Sequence, residues 1–431
     1  MRIAFISYEF PPDTGYGGIG TYVYQASALL AERGHEVEVF TASGLREGTI
    51  TLGKVRVHLV REVRGRPFPA AVAGVFQQRH QELPFDVLES PEYRFDGREA
   101  ARLAPDLPLV VKLHTPSLLL AELGGGFPPA TLGRTLKAYG QQLCAMAGAI
   151  RHQRPLPRWH WRRHHQQVVS EWDVIERDFT RTADVVVSPS AVLLELMAMR
   201  WKLDRAGLLH VPNPYVAPAH LLAVPLDTAT NVVSFFGRLE TRKGVAELAA
   251  AIPPVLARFP LVKFRFVGKA GRSPDGRLDY QAFIEESVGQ GRKNLEFTGH
   301  LPIEKVHEYF GQTDICVFPS RWENFPNVCL EAMAAGRGII GSSAGGMAEM
   351  LDQGRAGILV RPESPDEIAA AIVKLLSQPA ERMRLGGLAR QRVLAEYNHD
   401  KIGVLLEHSY ELARQRHRAA KAEDGNDGAK F

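Results

Sequence analysis

Short apolar runs alternate with longer amphipathic stretches along most of the chain. Ile3–Ser7 reads as a strand, followed by a glycine-rich loop and a helix near Thr21–Arg33 that Gly34 stops. Val37–Thr41 is the next strand, and Val55–Val60, Val87–Leu88, Leu109–Leu113 and Val185–Ser188 continue the rhythm. Strands alternating with helical patterns predict βαβ units around a parallel sheet. Val211-Pro212-Asn213-Pro214 interrupts the series and reads as a linker. A second series follows: Val232–Phe236, a helix near Val245–Arg258, Lys263–Val267, Leu295–Phe297, Ile315–Phe318, Gly338–Gly341 and Gly357–Val360. Helices near Pro365–Leu376 and Pro379–Glu396 close it. A last helix near Lys401–Arg416 runs into a polar tail. The expected fold is α/β, with two Rossmann-like domains over residues 1–212 and 213–398. A helix over 399–420 and a disordered tail over 421–431 are expected after them.

Composition narrows the class. A chain of 431 residues suits two domains, and 45% apolar with 23% charged residues is ordinary for a globular enzyme. A net charge of +4 implies no polyelectrolyte partner, and no nucleic-acid motif is present. Three cysteines, Cys144, Cys316 and Cys329, without paired metal spacing point to a reducing compartment. The chain opens directly into a strand, and no apolar stretch reaches the roughly 18 residues that span a bilayer. A cytoplasmic protein is expected, peripheral to a membrane at most. Asp-x-Asp, zinc spacing, a G-x-S-x-G elbow and a Walker A loop are all missing, so no metal or other cofactor is expected.

The chemistry concentrates in the second half. Glu323 and Glu331 lie eight positions apart, on either side of a change from strand to helix at Pro326. Carboxylates accept from sugar hydroxyls, while the free amides of a helix start take an anion. Gly237-Arg238-Leu239-Glu240-Thr241-Arg242-Lys243-Gly244 follows the first strand of this half, and Arg238 and Lys243 are the cations expected to neutralise a departing diphosphate. Alone, this segment reads as a solvated basic turn; beside the two glutamates it reads as a site. In the first half, Gly15-Tyr16-Gly17-Gly18-Ile19-Gly20 matches G-x-G-x-x-G, yet Tyr8–Thr14 separates it from the strand. The acidic residue expected near Phe40–Ser43 is also missing, so a phosphate- or substrate-contacting loop fits best, ahead of a structural turn and then of a nicotinamide site. His114 follows an apolar strand, where it could contact a sugar hydroxyl or shift protons. Arg151–His165 carries five arginines, four histidines, Trp159 and Trp161 and no acid, which suits a solvated loop, an anionic membrane surface or an anionic acceptor.

Taken together, these residues resemble the retaining glycosyltransferases of family 4, which have the GT-B fold. The resemblance rests on the glycine loop, His114, the Glu176 region with Ala183–Ser190, and Asn213. It extends through Gly237–Gly244, Phe297-Thr298-Gly299, the Glu323/Glu331 pair and Gly345-Gly346. It implies an acceptor domain followed by a nucleotide-sugar domain, and a last helix that crosses back onto the first. By resemblance, Glu331 holds the ribose hydroxyls, Glu323 a hydroxyl of the donor sugar, and Arg238 and Lys243 the diphosphate. Asn324, Phe325, Pro326, Asn327 and Val328, with amides near Phe325–Val328, and the Gly17-Gly18 loop lie nearby, His114 touches the sugar, and Thr298, Gly299, His300 and Leu301 lie at the base. Three residues depart from the family pattern: Asn324-Phe325-Pro326 replaces Gly-Phe-Gly, Gly338 stands for proline and Pro214 for glycine. The implied reaction moves a hexose from a UDP- or GDP-linked donor to a glycan, lipid-linked or small-molecule acceptor, without a metal. A GT-B epimerase or phosphorylase, or an idle sugar-nucleotide-binding scaffold, are the other readings.

Overall fold

In the computed structural model, residues 1–14, 17–61, 67–123, 161–274, 276 and 278–427 are described. Two sheets organise them. The first contains β1 (Arg2–Ser7), β2 (Glu36–Ser43), β3 (Gly48–Leu52), β4 (Val55–Arg61), β5 (Val87–Pro91), β6 (Leu109–Lys112), β7 (Val185–Ser188) and β8 (Leu208–His210). Their order is β3-β4-β2-β1-β5-β6-β7-β8, parallel except for the β3–β4 pair. The second contains β9 (Val232–Phe236), β10 (Lys263–Val267), β11 (Leu295–Gly299), β12 (Ile315–Phe318), β13 (Gly338–Ser342) and β14 (Ile358–Val360). Its order is β11-β10-β9-β12-β13-β14, the doubly wound arrangement in which the chain reverses direction between β9 and β12.

The central strands are apolar on both faces because helices cover both sides of a parallel sheet. Ile315, Cys316, Val317 and Phe318 are all buried, as are Val232, Val233, Phe235 and Phe236. Edge strand β3 differs: it alternates exposed and half-buried positions and pairs antiparallel, so the first sheet is not wholly parallel. Its polar Gly-Thr-Ile-Thr-Leu pattern carries no continuous apolar run, which is why the βαβ rhythm passes over it.

The last helix spans His399–Asp427 and therefore runs into the segment expected to be a disordered tail. Ala419, Ala420, Ala422, Lys421 and Glu423 are all good helix formers, and Lys421 pairs with Asp106 on the first domain. Ile402, Leu406, Tyr410 and Ala413 bury one face of this helix in the core that also holds Val87 of β5, Val110 of β6 and Val185 of β7. The hydroxyl of Tyr410 donates to the buried Glu89 at 2.7 Å, and Tyr22 donates to the other oxygen at 2.7 Å. The C-terminal helix is thus part of the first domain's core. Gly15, Tyr16 and residues 151–160 of the Arg151–His165 segment lie outside the described residues. Among the described residues no helix is long and apolar enough to cross a membrane.

Candidate active site

Ligands of open α/β sheets sit beyond the carboxyl ends of the strands where the chain reverses. Here the loops leaving β9 and β12 meet at that point. The β9 loop turns through a short 3-10 helix, Thr241–Lys243, into a helix over Val245–Arg258. Gly244 makes that turn with φ +70°, and a Cβ on it would lie 1.9 Å from the carbonyl oxygen of Pro319 in the β12 loop. Only glycine permits such an approach. The loops are also joined by Arg321 N–H donating to the Arg242 carbonyl at 2.9 Å.

This packing brings Lys243 and Glu323 together. Lys243 Nζ donates to Glu323 Oε1, Arg242 Nη1 reaches the same oxygen at 3.2 Å and Ser320 Oγ at 3.1 Å. Burial alone would push the Glu323 carboxyl up, but the charges of Lys243 and Arg242 outweigh it and hold the group below its usual range. Arg242 also donates to Glu240 at 2.9 Å. Arg238 stands apart: its side chain is 71% exposed and approaches Glu240 at 3.6 Å. Arg238 and Lys243 were the cations singled out in the sequence, and Arg242 was missed. Arg242 and Lys243 both reach Glu323 from the 3-10 turn, and no apolar pattern signals that turn.

Glu331 lies on the helix Asn327–Ala334, for which Pro326 is the N-cap. Cys329, Leu330, Ala332 and Met333 bury that helix in the core. Phe325, Val328 and Leu301 pack against the same cluster, which places the β11 loop beside the Glu331 helix. Thr298 is half-buried, and Gly299 and His300 are exposed. Asn327, at the first helical position, is half-buried.

Asn324 has a defined task. Its Oδ1 accepts from Ser190 Oγ at 2.6 Å, and its Nδ2 donates to the His114 carbonyl. Both partners belong to the first domain, so the residue that departs from the family's glycine ties the domains together. Glu349 adds a second tie, accepting from Ala191 N–H at 2.9 Å and Val192 N–H at 2.8 Å at the start of the helix Ala191–Trp201. Gly345, with φ +77°, lets the backbone pass against Glu323, and Gly346 N–H donates to the Glu323 carbonyl at 2.8 Å.

His114 follows β6, edge-on to Tyr22 at 5.5 Å. Burial first, and the nearby Lys112 second, push its imidazole down to about 3, so the ring is neutral near pH 7. A neutral ring whose buried Nε2 has no partner among the described residues favours the hydroxyl contact over proton shifting. The backbone N–H of His114 is held by both oxygens of Glu92, at 2.8 and 2.9 Å. Glu92 is buried near a second carboxylate, Glu176, which accepts from Ser117 Oγ at 2.5 Å and Ser117 N–H at 2.9 Å. Burial, then mutual repulsion, lifts Glu92 to about 8; burial lifts Glu176 to about 7. Glu176 entered the sequence reading only through its region, and Glu92 was not singled out. Gly17 and Gly18 are exposed at the start of the helix Gly18–Glu32, where a Glu9 oxygen accepts from Gly20 N–H at 3.4 Å. Among the described residues no three of His, Cys, Asp and Glu are arranged to hold a metal ion.

Comparison with known proteins decides the family. Residues 17–214 match the family "Glycosyl transferase 4-like domain" and residues 230–378 match "Glycosyl transferases group 1". The chain belongs to the group 1 glycosyltransferases. It is 26% identical to a glycogen synthase of Mycobacterium tuberculosis, over 96% of this chain and 95% of that one. A D-inositol 3-phosphate glycosyltransferase of Rhodococcus opacus is 28% identical, over 93% and 87%. Among solved structures, sucrose-phosphate synthase from Thermosynechococcus elongatus superposes with a TM-score of 0.71 at 22% identity, covering 95% of this chain and 98% of that one. The Anabaena protein HepE in complex with UDP and glucose superposes with a TM-score of 0.64 at 17% identity, over 95% and 99%. This glycosyltransferase has the GT-B fold.

Two outcomes follow from the geometry. Asn324→Ala removes its own two cross-domain hydrogen bonds, each worth about 0.5–1.5 kcal/mol, and leaves the Glu349 tie in place. X-ray scattering should show a more open average shape and unchanged melting; an unchanged scattering profile contradicts the tie. Glu92 and Glu176 have folded values above the ordinary carboxyl value of 4.5, so the stability they contribute is complete below that value and is lost as pH rises through 7 to 8. Each group held protonated only in the folded state costs about 1.4 kcal/mol per pH unit across that window. Urea midpoints should fall between pH 5.5 and 8, and Glu176→Gln should flatten the fall; an equal fall in the variant contradicts this account.

Proposed function

We propose that this glycosyltransferase moves a hexose from a UDP- or GDP-linked donor to a hydroxyl of a glycan, lipid-linked or small-molecule acceptor, with retention and without a metal. The observation that carries the reading is the cluster of Lys243 and Arg242 on the ionised Glu323, with Arg238 exposed beside it. HepE, one of the superposed structures, is described in complex with UDP-glucose, which supports a nucleotide-sugar donor.

The bond from the anomeric carbon to the diphosphate breaks, and negative charge grows on the leaving oxygen. Fixed cations stabilise that charge more in the transition state than in the ground state. Arg238 and Lys243 take the diphosphate, with amides of the Phe325–Val328 turn. Glu323, kept ionised, receives a donor-sugar hydroxyl and favours the oxocarbenium character of the sugar. The acceptor hydroxyl attacks from the side the diphosphate leaves, forming the new carbon–oxygen bond while its proton passes to the departing phosphate oxygen. His114, neutral, accepts or donates one hydrogen bond to the sugar. Glu331 holds the ribose.

Its compartment is the cytoplasm, a reading supported by the buried free thiols of Cys316 and Cys329. Contact with an anionic membrane surface through Trp159, Trp161 and their arginines is the corresponding proposal for the acceptor side.

The test combines binding with turnover. UDP or GDP at 100 times its dissociation constant should raise stability by about 2.7 kcal/mol in a thermal-shift panel. Sugar transfer should persist in EDTA, and Arg238→Ala should lower it about a hundredfold or more without lowering the melting temperature, since the side chain is exposed. Near-normal transfer by that variant contradicts the assignment.

A further inference from the structure

Beneath the donor site lies a group of buried polar atoms that the proposed reaction does not yet use. Glu331 is 8% exposed, and its Oε2 has no hydrogen-bond partner among the described residues. His307, on the helix Ile303–Phe310, points its Nε2 at Glu331 Oε1 from 3.9 Å, too far for a hydrogen bond, and that nitrogen is also buried without a partner. The hydroxyl of Tyr215 is a third unpartnered buried atom, and its phenol is pushed up by burial and then by the Glu331 charge. Leaving such groups unpaired is costly, and three of them together in one apolar cluster point to a polar ligand.

The other side of His307 is anchored. His220 Nε2 and His307 Nδ1 are 2.9 Å apart. One of the two carries the proton. If His307 Nδ1 carried it, the bare Nε2 lone pair would face a carboxylate, acceptor against acceptor. The lower-energy arrangement has His220 donating, which places the His307 proton on Nε2, facing Glu331. A hydroxyl in the gap can then accept from His307 and donate to Glu331.

We propose that His307 is a second ligand of the nucleoside's vicinal diol, paired with Glu331, and that His220 is a positioning residue that fixes the His307 tautomer. This rests on the nucleotide-sugar reading of the site. It makes the discrimination of a ribonucleotide from a deoxyribonucleotide a property of two helices, with Glu331 from one and His307 from the other.

Calorimetry with UDP, GDP and their 2′-deoxy and 3′-deoxy forms tests it. Wild-type protein should bind the ribonucleotide at least about tenfold tighter than one of the deoxy forms, the ratio expected when a site built to pair a hydroxyl meets a ligand lacking it. His307→Ala should collapse that ratio to about threefold or less while leaving deoxy binding within about twofold. His307→Gln, whose amide nitrogen can stand where Nε2 stood, should retain the ratio. His220 is exposed; His220→Ala should lower the ratio and His220→Gln restore it, so the test stands even if His307→Ala does not fold. An unchanged ratio in His307→Ala, or a wild-type protein that binds ribo and deoxy forms alike, overturns the proposal. A wild-type protein that binds neither UDP nor GDP rejects the nucleotide-sugar reading beneath it.

Discussion

A carboxylate removed from water stays charged only if opposite charge travels with it, and Glu323 meets that condition through Lys243 and Arg242. The requirement reaches far into the fold. The cations come from the loop after β9 and the carboxylate from the loop after β12, so both strands must end at the same level. Gly244 must let one loop lie on the carbonyl of Pro319, and Gly345 must let a third pass behind Glu323. Glu323 and Lys243, which compensate each other here, are also groups proposed to meet the donor: the carboxylate for the sugar, and the lysine, with Arg238, for the diphosphate. Binding would then exchange one set of partners for another without exposing an uncompensated charge, which keeps reorganisation small.

The second constraint is closure. Asn324 sits one residue after Glu323 and holds Ser190 and the His114 carbonyl, so the carboxylate, the histidine and the domain interface are mechanically one unit. On the first domain, His114 is fixed from behind by Glu92, and Glu92 is crowded by Glu176. Two buried carboxylates whose titration is raised to about 8 and about 7 are an expensive way to shape a turn. They hold the loops after β5 and β6 in place by accepting N–H groups of His114, Ser117 and Arg94. Arg94, with φ +59°, is one of the few non-glycine residues in the left-handed region, and it lies in this turn.

Much of this was legible in the sequence. Apolar runs such as Ile315–Phe318 and Val232–Phe236 announce buried parallel strands, because helices on both faces demand apolar residues at every position. The Glu323–Glu331 spacing and the β9 loop stood out because charged residues at strand-to-helix junctions have few structural reasons to be there. Other features carried no local signal. Arg242 looks like any basic turn residue until the fold brings Glu323 to it from the β12 loop. The role of Asn324 depends on Ser190 and the His114 carbonyl, far away in the chain. Glu92 and His307 were passed over, and Glu176 entered only through its region, for the same reason: burial and partners are tertiary properties, and a lone glutamate or histidine in a helix or turn reads as a solvated surface residue.

The claim at the centre is that Lys243, Arg238 and Glu323 seat a donor diphosphate and its sugar. A crystal structure of the protein with a UDP- or GDP-sugar tests it most directly. The account predicts phosphate oxygens within hydrogen-bonding distance of Lys243 and Arg238, a sugar hydroxyl on Glu323, and the ribose between Glu331 and His307. A nucleotide bound elsewhere, or bound with the Lys243–Glu323 pair untouched and the phosphates away from both cations, would contradict it.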